Sequence, residues 1–442
     1  MKSSQPDNQS QDNRPFEFIG YDFDENLLRA QFHYRGGTAE NALDFVETVN
    51  FSKRVPIALN LNDKTRSVLD HALFLVFIVV GTSYYKAFPS KTVKLSEHIS
   101  DWRAQFFNTI YQDGLSQYAY ENQLERKDLA HFNSLPNTHD SMPEVMTENQ
   151  TPLVLQSGGK DSLLTAELLN ESGKKWTALY ISSTDNYPNI LDRLNASNVQ
   201  IIKREIDRPA LEKAKSLGGK NGHVPVTYIN IAVALVQAII NGQTEIITSI
   251  GHEGAENHTI IKSTDSAEKD LPVNHQWSKT EEAEHYLQQY ISDFISPSIS
   301  VHSLIRKYSE LKIAQLFVAK CWDKYGHRFS SCNRANYGQG VDNQTLTWCG
   351  ECAKCANSYL LFAPFLEPLE LNSLFKDQKS LFEKPELETD FKGLLGIDGV
   401  IKPFECIGEV DELRKAYHLK NPGYPNLPFD VPNSDFDLEK LY

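Results

Sequence analysis

The sequence predicts an α/β protein built on a doubly wound parallel sheet, with a separate N-terminal α+β domain and a zinc-bound element of four cysteines. Three observations carry this. The apolar run Pro152-Leu153-Val154-Leu155 leads into Ser157-Gly158-Gly159-Lys160-Asp161-Ser162, and a helical pattern leaves it. Strand and helix patterns then alternate as far as Ile250, the order that βαβ units produce. Cys332, Cys349, Cys352 and Cys355, four of the chain's 6 cysteines, stand at a spacing that suits one tetrahedral metal ion.

Residues 1–15 are polar, rich in Gln, Asn, Asp and Ser, and read as a disordered tail and not as a targeting sequence. Residues 16–135 read as the N-terminal domain. Alternating apolar and polar residues between Phe16 and Phe51, as in Leu27 to Tyr34, predict a short meander of strands. The apolar run Ala72 to Val80 is half the length a transmembrane helix needs and reads as a buried helix. The polar segment 136–149, with Pro136 and Pro143, reads as a linker.

Residues 150–365 read as the nucleotide-binding domain. After the first strand, Leu164 and Leu168 lie four apart and Ala166 and Leu169 three apart, a helix that stops at Asn170-Glu171-Ser172-Gly173. Strands at Thr177–Ser182, Val199–Arg204 and Glu245–Ile250 follow, with an apolar helix from Tyr228 to Ile240. Residues 366–442 form a C-terminal extension. Its end, from Asn421, is rich in Pro, Asp and Asn and fits either an irregular packed arm or a mobile one.

At 442 residues and 40% hydrophobic content, the chain is long enough for two or three domains with sizeable cores. The net charge of −14, without a cluster of lysines and arginines, argues against a nucleic acid partner and against an anionic membrane surface. A small or medium substrate fits better, and a locally positive pocket would still admit an anionic one. Without an export signal, a cytoplasmic location is expected and disulfides are disfavoured. Nothing in the sequence fixes the oligomeric state.

The chemistry concentrates in a few loops. The two glycines of Ser157–Ser162 let the backbone turn its N–H groups inward, while Ser157, Ser162 and the amides opening the helix offer hydrogen bonds to an anion. Lys160 adds a point charge. The GxxxxGK[ST] spacing of ordinary P-loops is absent. Ligands of doubly wound sheets sit at the carboxyl ends of strands, so Ser182 to Thr184 and Gly251-His252-Glu253-Gly254 should face the same crevice.

His252, Glu253 and Glu256 are therefore either acids and bases or hydrogen-bonded rim residues. Val273-Asn274-His275-Gln276-Trp277-Ser278-Lys279 suits an anionic or sugar-bearing substrate, or else caps a helix around a buried Trp. His223 and His302 are weaker candidates. The cysteine cluster reads as a closed, structural zinc site, with a disulfide framework and an iron–sulfur cluster as rivals. Cys321 and Cys406 read as small core residues.

Ser157 to Ser162 resemble the SGGxDS loop of the N-type ATP pyrophosphatases, the PP-loop superfamily. Gly81 to Lys86, Val273 to Lys279, Ser309-Glu310-Leu311 and Lys402 to Glu409 accompany it, and together they resemble the UDP-N-acetylmuramoyl-L-alanyl-L-glutamate epimerase (MurL) family from about Phe16 to near Lys420. The resemblance implies a PP-loop fold and ATP-dependent inversion of the terminal L-glutamate of UDP-MurNAc-L-Ala-L-Glu, a step in peptidoglycan precursor synthesis. It would pass through an acyl adenylate and release AMP and pyrophosphate.

On this resemblance Ser157, Gly158, Gly159 and Ser162 hold pyrophosphate, Lys160 stabilises its charge, Asp161 helps position Mg²⁺, and Ser182 borders the nucleotide. His252, Glu253 and His275 are the candidate bases, and Lys279 suits a substrate carboxylate. ATP, Mg²⁺ and a structural Zn²⁺ are the implied cofactors. The alternatives are an amidating enzyme resembling the 7-cyano-7-deazaguanine synthases and a nucleotide-binding regulatory protein. A tRNA-thiolating relative would want a basic surface.

Overall fold

The structure, a computed structural model, describes residues 13–52, 62–135, 143–146, 151–184, 186–252, 256–336 and 344–442. Most of the expected tail and linker, and Glu253, lie outside the described residues. In chain order the strands are β1 (Phe16–Asp24), β2 (Arg29–Gly37), β3 (Ala42–Asn50), β4 (Val93–Leu95), β5 (Leu153–Leu155), β6 (Thr177–Ser182), β7 (Asn198–Glu205), β8 (Glu245–Thr248), β9 (Thr259–Ile261), β10 (Leu271–Val273) and β11 (Ser300–Ser303). Strands β9 and β10 pair as a separate hairpin, and the other nine form one sheet in the order β11-β8-β5-β6-β7-β3-β2-β1-β4.

The five strands from β11 to β7 are mutually parallel. Counted by chain order they run 3-2-1-4-5 from β7, so the winding direction reverses between β5 and β8, where doubly wound sheets place their ligands. Side-chain alternation divides two cores between the faces. Leu153, Leu179, Ile202 and Ile246 enter one. Val154, Ala178, Tyr180 and Ile247 enter the other. Strands covered on both faces read as continuous apolar runs, which is why β5, β6 and β8 were legible.

The separate N-terminal domain expected from the sequence has neither a sheet nor a core of its own among the described residues. The meander β1–β3 is antiparallel as expected, but β3 then pairs antiparallel with β7 and extends the same sheet. Phe16, Phe18, Phe32, Tyr34 and Phe45 share one core with Leu235 and Ile239 of the helix Val226–Asn241. At the join, Glu47 is fully buried and bonded to Arg204, which also donates to Ser83 Oγ at 2.9 Å.

The run Ala72 to Val80 sits inside a longer helix, Asp63–Tyr85, whose first turn is capped by Asn62 accepting from the Thr65 amide at 2.9 Å. That helix is long and apolar enough to cross a membrane by length and composition, yet 83% of its most apolar window is buried inside the protein. Gly81 is required there, since a Cβ would lie 2.6 Å from Tyr111 Oη and 2.9 Å from Phe18 Cε1. The other face of the sheet carries the helices Lys160–Glu171, Glu310–Tyr325 and Ala353–Phe362. The C-terminal stretch packs as an irregular arm. The Tyr424 hydroxyl donates to Leu366 O, Lys312 pairs with Glu439 at 2.7 Å, and the Tyr442 amide donates to Lys307 O.

Candidate active site

At the carboxyl end of β5 the chain turns through Ser157 to Gly159 and starts the helix Lys160–Glu171. Gly158 has φ +81°, and a Cβ there would lie 2.6 Å from Leu346 Cδ1, so the turn requires glycine twice over. Gly159, at the cap position, brings no side chain to cover the first helical amides. The Ser157 amide donates to Ser162 Oγ at 3.3 Å, and Ser162 Oγ donates to Gly159 O at 3.1 Å. The Gly159 amide donates to Ser157 Oγ at 3.3 Å, so the loop's polar groups bond to one another around a helix N-terminus, the kind of backbone end that receives anions.

Lys160 is 3% exposed, with its ammonium 2.6 Å from Asp161 Oδ1 and 2.5 Å from Glu310 Oε2. Burial alone would push this ammonium down, but Asp161 and Glu310 outweigh it and hold it well above the ordinary lysine range. Glu310 itself is 2% exposed. In the sequence it stands out only within the resembling segment Ser309-Glu310-Leu311, and only the fold shows its burial beside Lys160. The neighbouring strand ends bring buried polar groups without a partner among the described residues: both polar atoms of the Gln156 amide, Thr248 Oγ1 and Ser249 Oγ. Such groups call for a polar ligand or ordered water.

The other expected strand-end residues divide. Ser182 Oγ donates to Asn186 O at 2.8 Å and accepts from the Thr184 amide at 3.1 Å, so this hydroxyl shapes its own turn. His252 lies under the C-terminal arm, its ring stacked on Tyr442 with centroids 3.5 Å apart. Burial holds its imidazole below the ordinary range.

His275 and Lys279 belong to a second cluster, where the segment Val273 to Lys279 meets Lys402 to Glu409. The His275 ring lies 4.2 Å from His223 and 6.4 Å from His258, centroid to centroid. Its Nδ1 is 2.6 Å from Gln117 Oε1 and its Nε2 is 3.7 Å from Cys406 Sγ. Burial pushes His275 and His258 down to about 4 and His223 to about 3, so all three are neutral near pH 7. Lys86, Lys279, Lys354 and Lys402 contribute to those shifts as neighbouring positive charges. Lys86 donates to Gly222 O at 3.1 Å, and burial pushes it down to about 8.

A chain of contacts joins the two clusters. The Leu311 amide, next to Glu310, donates to Glu412 Oε2 at 3.0 Å, and the Glu409 amide donates to Glu412 Oε1 at 2.8 Å. The Val410 amide donates to Glu256 Oε2 at 3.1 Å, and Lys402 pairs with the same oxygen at 2.7 Å. Glu412 is fully buried, which pushes its carboxyl up to about 7. Glu256 is thus held by Lys402 and the Val410 amide.

The four cysteines converge as their spacing predicts. Their sulfurs all lie within 4.8 Å of one another, with Cys332–Cys352 at 3.8 Å and both Cys349–Cys355 and Cys352–Cys355 at 3.6 Å. The edges of a tetrahedron with metal–sulfur bonds of about 2.3 Å are about 3.8 Å, so the set could hold one metal ion. The amides of Ala335, Gly350 and Glu351 each donate to a cysteine sulfur at 3.4 Å, an outer shell that favours thiolates. All six cysteines are free of disulfides.

The MurL N-terminal domain family matches residues 7–304 and the MurL C-terminal domain family matches residues 328–422. A UDP-N-acetyl-alpha-D-muramoyl-L-alanyl-L-glutamate epimerase of Micromonospora sp. is 30% identical over 420 residues, 91% of this chain and 86% of its own length. The protein of that name from Salinispora tropica is 30% identical over 91% of this chain and 84% of its own length. The one from Xanthomonas oryzae pv. oryzae is 30% identical over 84% of this chain and 79% of its own. Matched in both of the family's domains and along most of its length, the chain belongs to the MurL family.

Proposed function

We propose that this chain inverts the terminal L-glutamate of UDP-MurNAc-L-Ala-L-Glu to D-glutamate at the expense of ATP, in peptidoglycan precursor synthesis. The observation that carries the reading is the Ser157–Ser162 loop at the switch between β5 and β8, in a chain whose relatives are named for this epimerisation. The loop resembles that of PP-loop enzymes, which cleave ATP between the α and β phosphates. Ser157, Gly158, Gly159 and Ser162 would hold the leaving pyrophosphate, and Lys160 would meet its developing charge. Asp161, beside Lys160, would help hold a Mg²⁺ that would neutralise phosphate charge. The four cysteines suit a structural Zn²⁺ that takes no part in the chemistry.

The chemistry explains the use of ATP. A free carboxylate resists loss of its α-proton because a second negative charge would form beside the first. An acyl adenylate lets the carbonyl accept that charge, so adenylation acidifies the α-carbon. Hydrolysis of the adenylate then releases product and AMP. Of the two candidate histidines described, His275 is favoured, since the ring of His252 is covered by Tyr442; Glu253 lies outside the described residues. Lys279, close enough to influence His275, suits a substrate carboxylate. The amidating and regulatory alternatives find no counterpart in the names of these relatives.

The test is incubation of the full chain with ATP, Mg²⁺ and UDP-MurNAc-L-Ala-L-Glu in D₂O. Substrate-dependent AMP, with D-glutamate deuterated at the α-carbon, is expected. No AMP and no exchange would reject the assignment.

A further inference from the structure

We propose that Cys406 and His275 are the proton-transfer pair of this chain, with the Cys406 sulfur exchanging the α-proton of the activated glutamyl residue; this rests on the epimerase reading above. The argument starts at Glu121, whose carboxylate can only accept. Gln117 Nε2 lies 2.7 Å from Glu121 Oε1, which fixes the amide with its nitrogen toward that carboxylate. Gln117 Oε1 then faces His275 Nδ1 at 2.6 Å and must accept from it. With its proton on Nδ1, the neutral imidazole turns the lone pair of Nε2 toward Cys406 Sγ, 3.7 Å away. Glu121 and Gln117 are thus positioning residues, and His275 is the base that takes the thiol proton. Both Cys406 and His275 are only half-buried.

The surroundings form a built site. Asn357 Oδ1 accepts from the Gly408 amide at 3.0 Å and Gln276 Nε2 donates to Ile407 O at 2.9 Å, which ties both amides to the residues after Cys406. Their other ends, Asn357 Nδ2 and Gln276 Oε1, are buried without a partner among the described residues, as is Nδ1 of the adjacent His258. Asn357 is 0% and Gln276 3% exposed, so these groups call for a polar ligand. Lys354 donates to Cys406 O, and Lys402 and Lys279 stand nearby against the carboxylates of Glu405 and Glu121, so the site offers a polar ligand both donors and an acceptor.

The step balances. His275 Nε2 takes the thiol proton and leaves a thiolate. The thiolate takes the α-proton, so a C–H bond breaks, an S–H bond forms and the electron pair moves into the acyl carbonyl. Water protonates the opposite face, and the hydroxide left behind is neutralised by the proton on His275. Thiol and neutral imidazole are restored with the centre inverted.

The experiment repeats the D₂O incubation with Cys406→Ala, Cys406→Ser and His275→Gln in the full chain. All three variants should release AMP while α-deuteration and D-glutamate fall at least 100-fold. Inversion by Cys406→Ala within fivefold of the wild type would overturn the pair and leave the epimerase reading standing. A wild type that neither releases AMP nor inverts glutamate overturns that reading itself. Should the variants misfold, iodoacetamide labelling of the wild type, read by peptide mass spectrometry, decides. Cys406 should label faster than Cys321 and be protected by the UDP-MurNAc dipeptide with ATP. Equal labelling with and without them would refute the pair.

Discussion

Replacing Arg204 by Met tests what joins the N-terminal meander to the parallel strands. β3 and β7 meet over three paired residues, Thr48–Glu205, Val49–Arg204 and Asn50–Lys203. Within this short join the Glu47 carboxylate, 0% exposed, is held by Arg204 Nε and Nη2. Removing the guanidinium strands a buried carboxylate, a change that costs about 3–5 kcal/mol. Burial holds the Glu47 carboxyl above its ordinary value of 4.5 even beside Arg204, so protonation offsets part of the cost. A carboxyl raised in the folded state favours folding at low pH and weakens it as pH rises above the unfolded value. The loss is therefore largest in alkaline buffer, and about 3 kcal/mol is expected at pH 8. The double variant Glu47→Leu, Arg204→Met should recover to within about 1 kcal/mol of wild type, because replacing both partners of a buried pair by apolar groups is often neutral. Urea denaturation followed by far-UV circular dichroism measures all three proteins. A loss below about 1 kcal/mol for Arg204→Met, or a double variant no better than the single, would refute the reasoning. Two transitions, with only one moved, would show that the meander unfolds as a unit of its own.

Other outcomes are expected on the same grounds. Lys160→Ala, combined with Glu310→Gln so that no buried carboxylate is stranded, should abolish substrate-dependent AMP; near-wild-type turnover would sink the loop assignment. Gly158→Ala forces an L-residue to φ +81° and a Cβ against Leu346, so it should cost about 1–2 kcal/mol and suppress AMP release; an unchanged thermal midpoint would contradict that geometry. Metal analysis should return about one Zn²⁺ per chain, lost in Cys352→Ser, and a value near zero or an iron–sulfur absorbance band would exclude zinc. His223, His258 and His275 are lowered in the folded state, so the stability they confer is full above the unfolded value of 6.5 and is lost as pH falls toward about 4 and, for His223, about 3. Thermal melting from pH 7.5 to 4 should show this decline, worth up to roughly 3 kcal/mol for His275, and His275→Gln should flatten it.

Local pattern carried most of the parallel sheet. β6 falls where the run Thr177 to Ser182 predicts, and the helix Lys160–Glu171 begins at the loop that its flanks announce. What escaped depends on long-range pairing. The short strand β11 has little pattern of its own, and nothing local tells β3 to pair with β7 and not with another strand of the meander. The same holds in the site. Glu412 and Gln117 look like ordinary surface residues until their burial is known, and Glu310 stands out only as part of the segment Ser309 to Leu311. Cys406 looks isolated because its partner His275 is 131 residues away, and the segments that carry the two were recognisable only as unusual runs.

The charges of the two clusters assign them different anions. At the loop one ammonium, that of Lys160, stands against two carboxylates, Asp161 and Glu310, so the site is negative before any phosphate arrives. A triphosphate added there without another cation would place several like charges in a buried crevice. On the proposed reading a divalent ion would offset that charge, and Asp161, more exposed than Glu310, is the carboxylate that would turn from Lys160 to hold it. Around His223, His258 and His275 the lysines Lys86, Lys279, Lys354 and Lys402 stand against the carboxylates of Glu405, Glu121 and Glu256, the last paired with Lys402, so the cluster keeps a small positive surplus. Carboxylates of a peptide can be received there without a metal. On that reading, activation of a carboxyl and deprotonation of the carbon beside it draw on both environments, which are linked by Glu412, accepting from the Leu311 and Glu409 amides, and by Glu256, accepting from Val410.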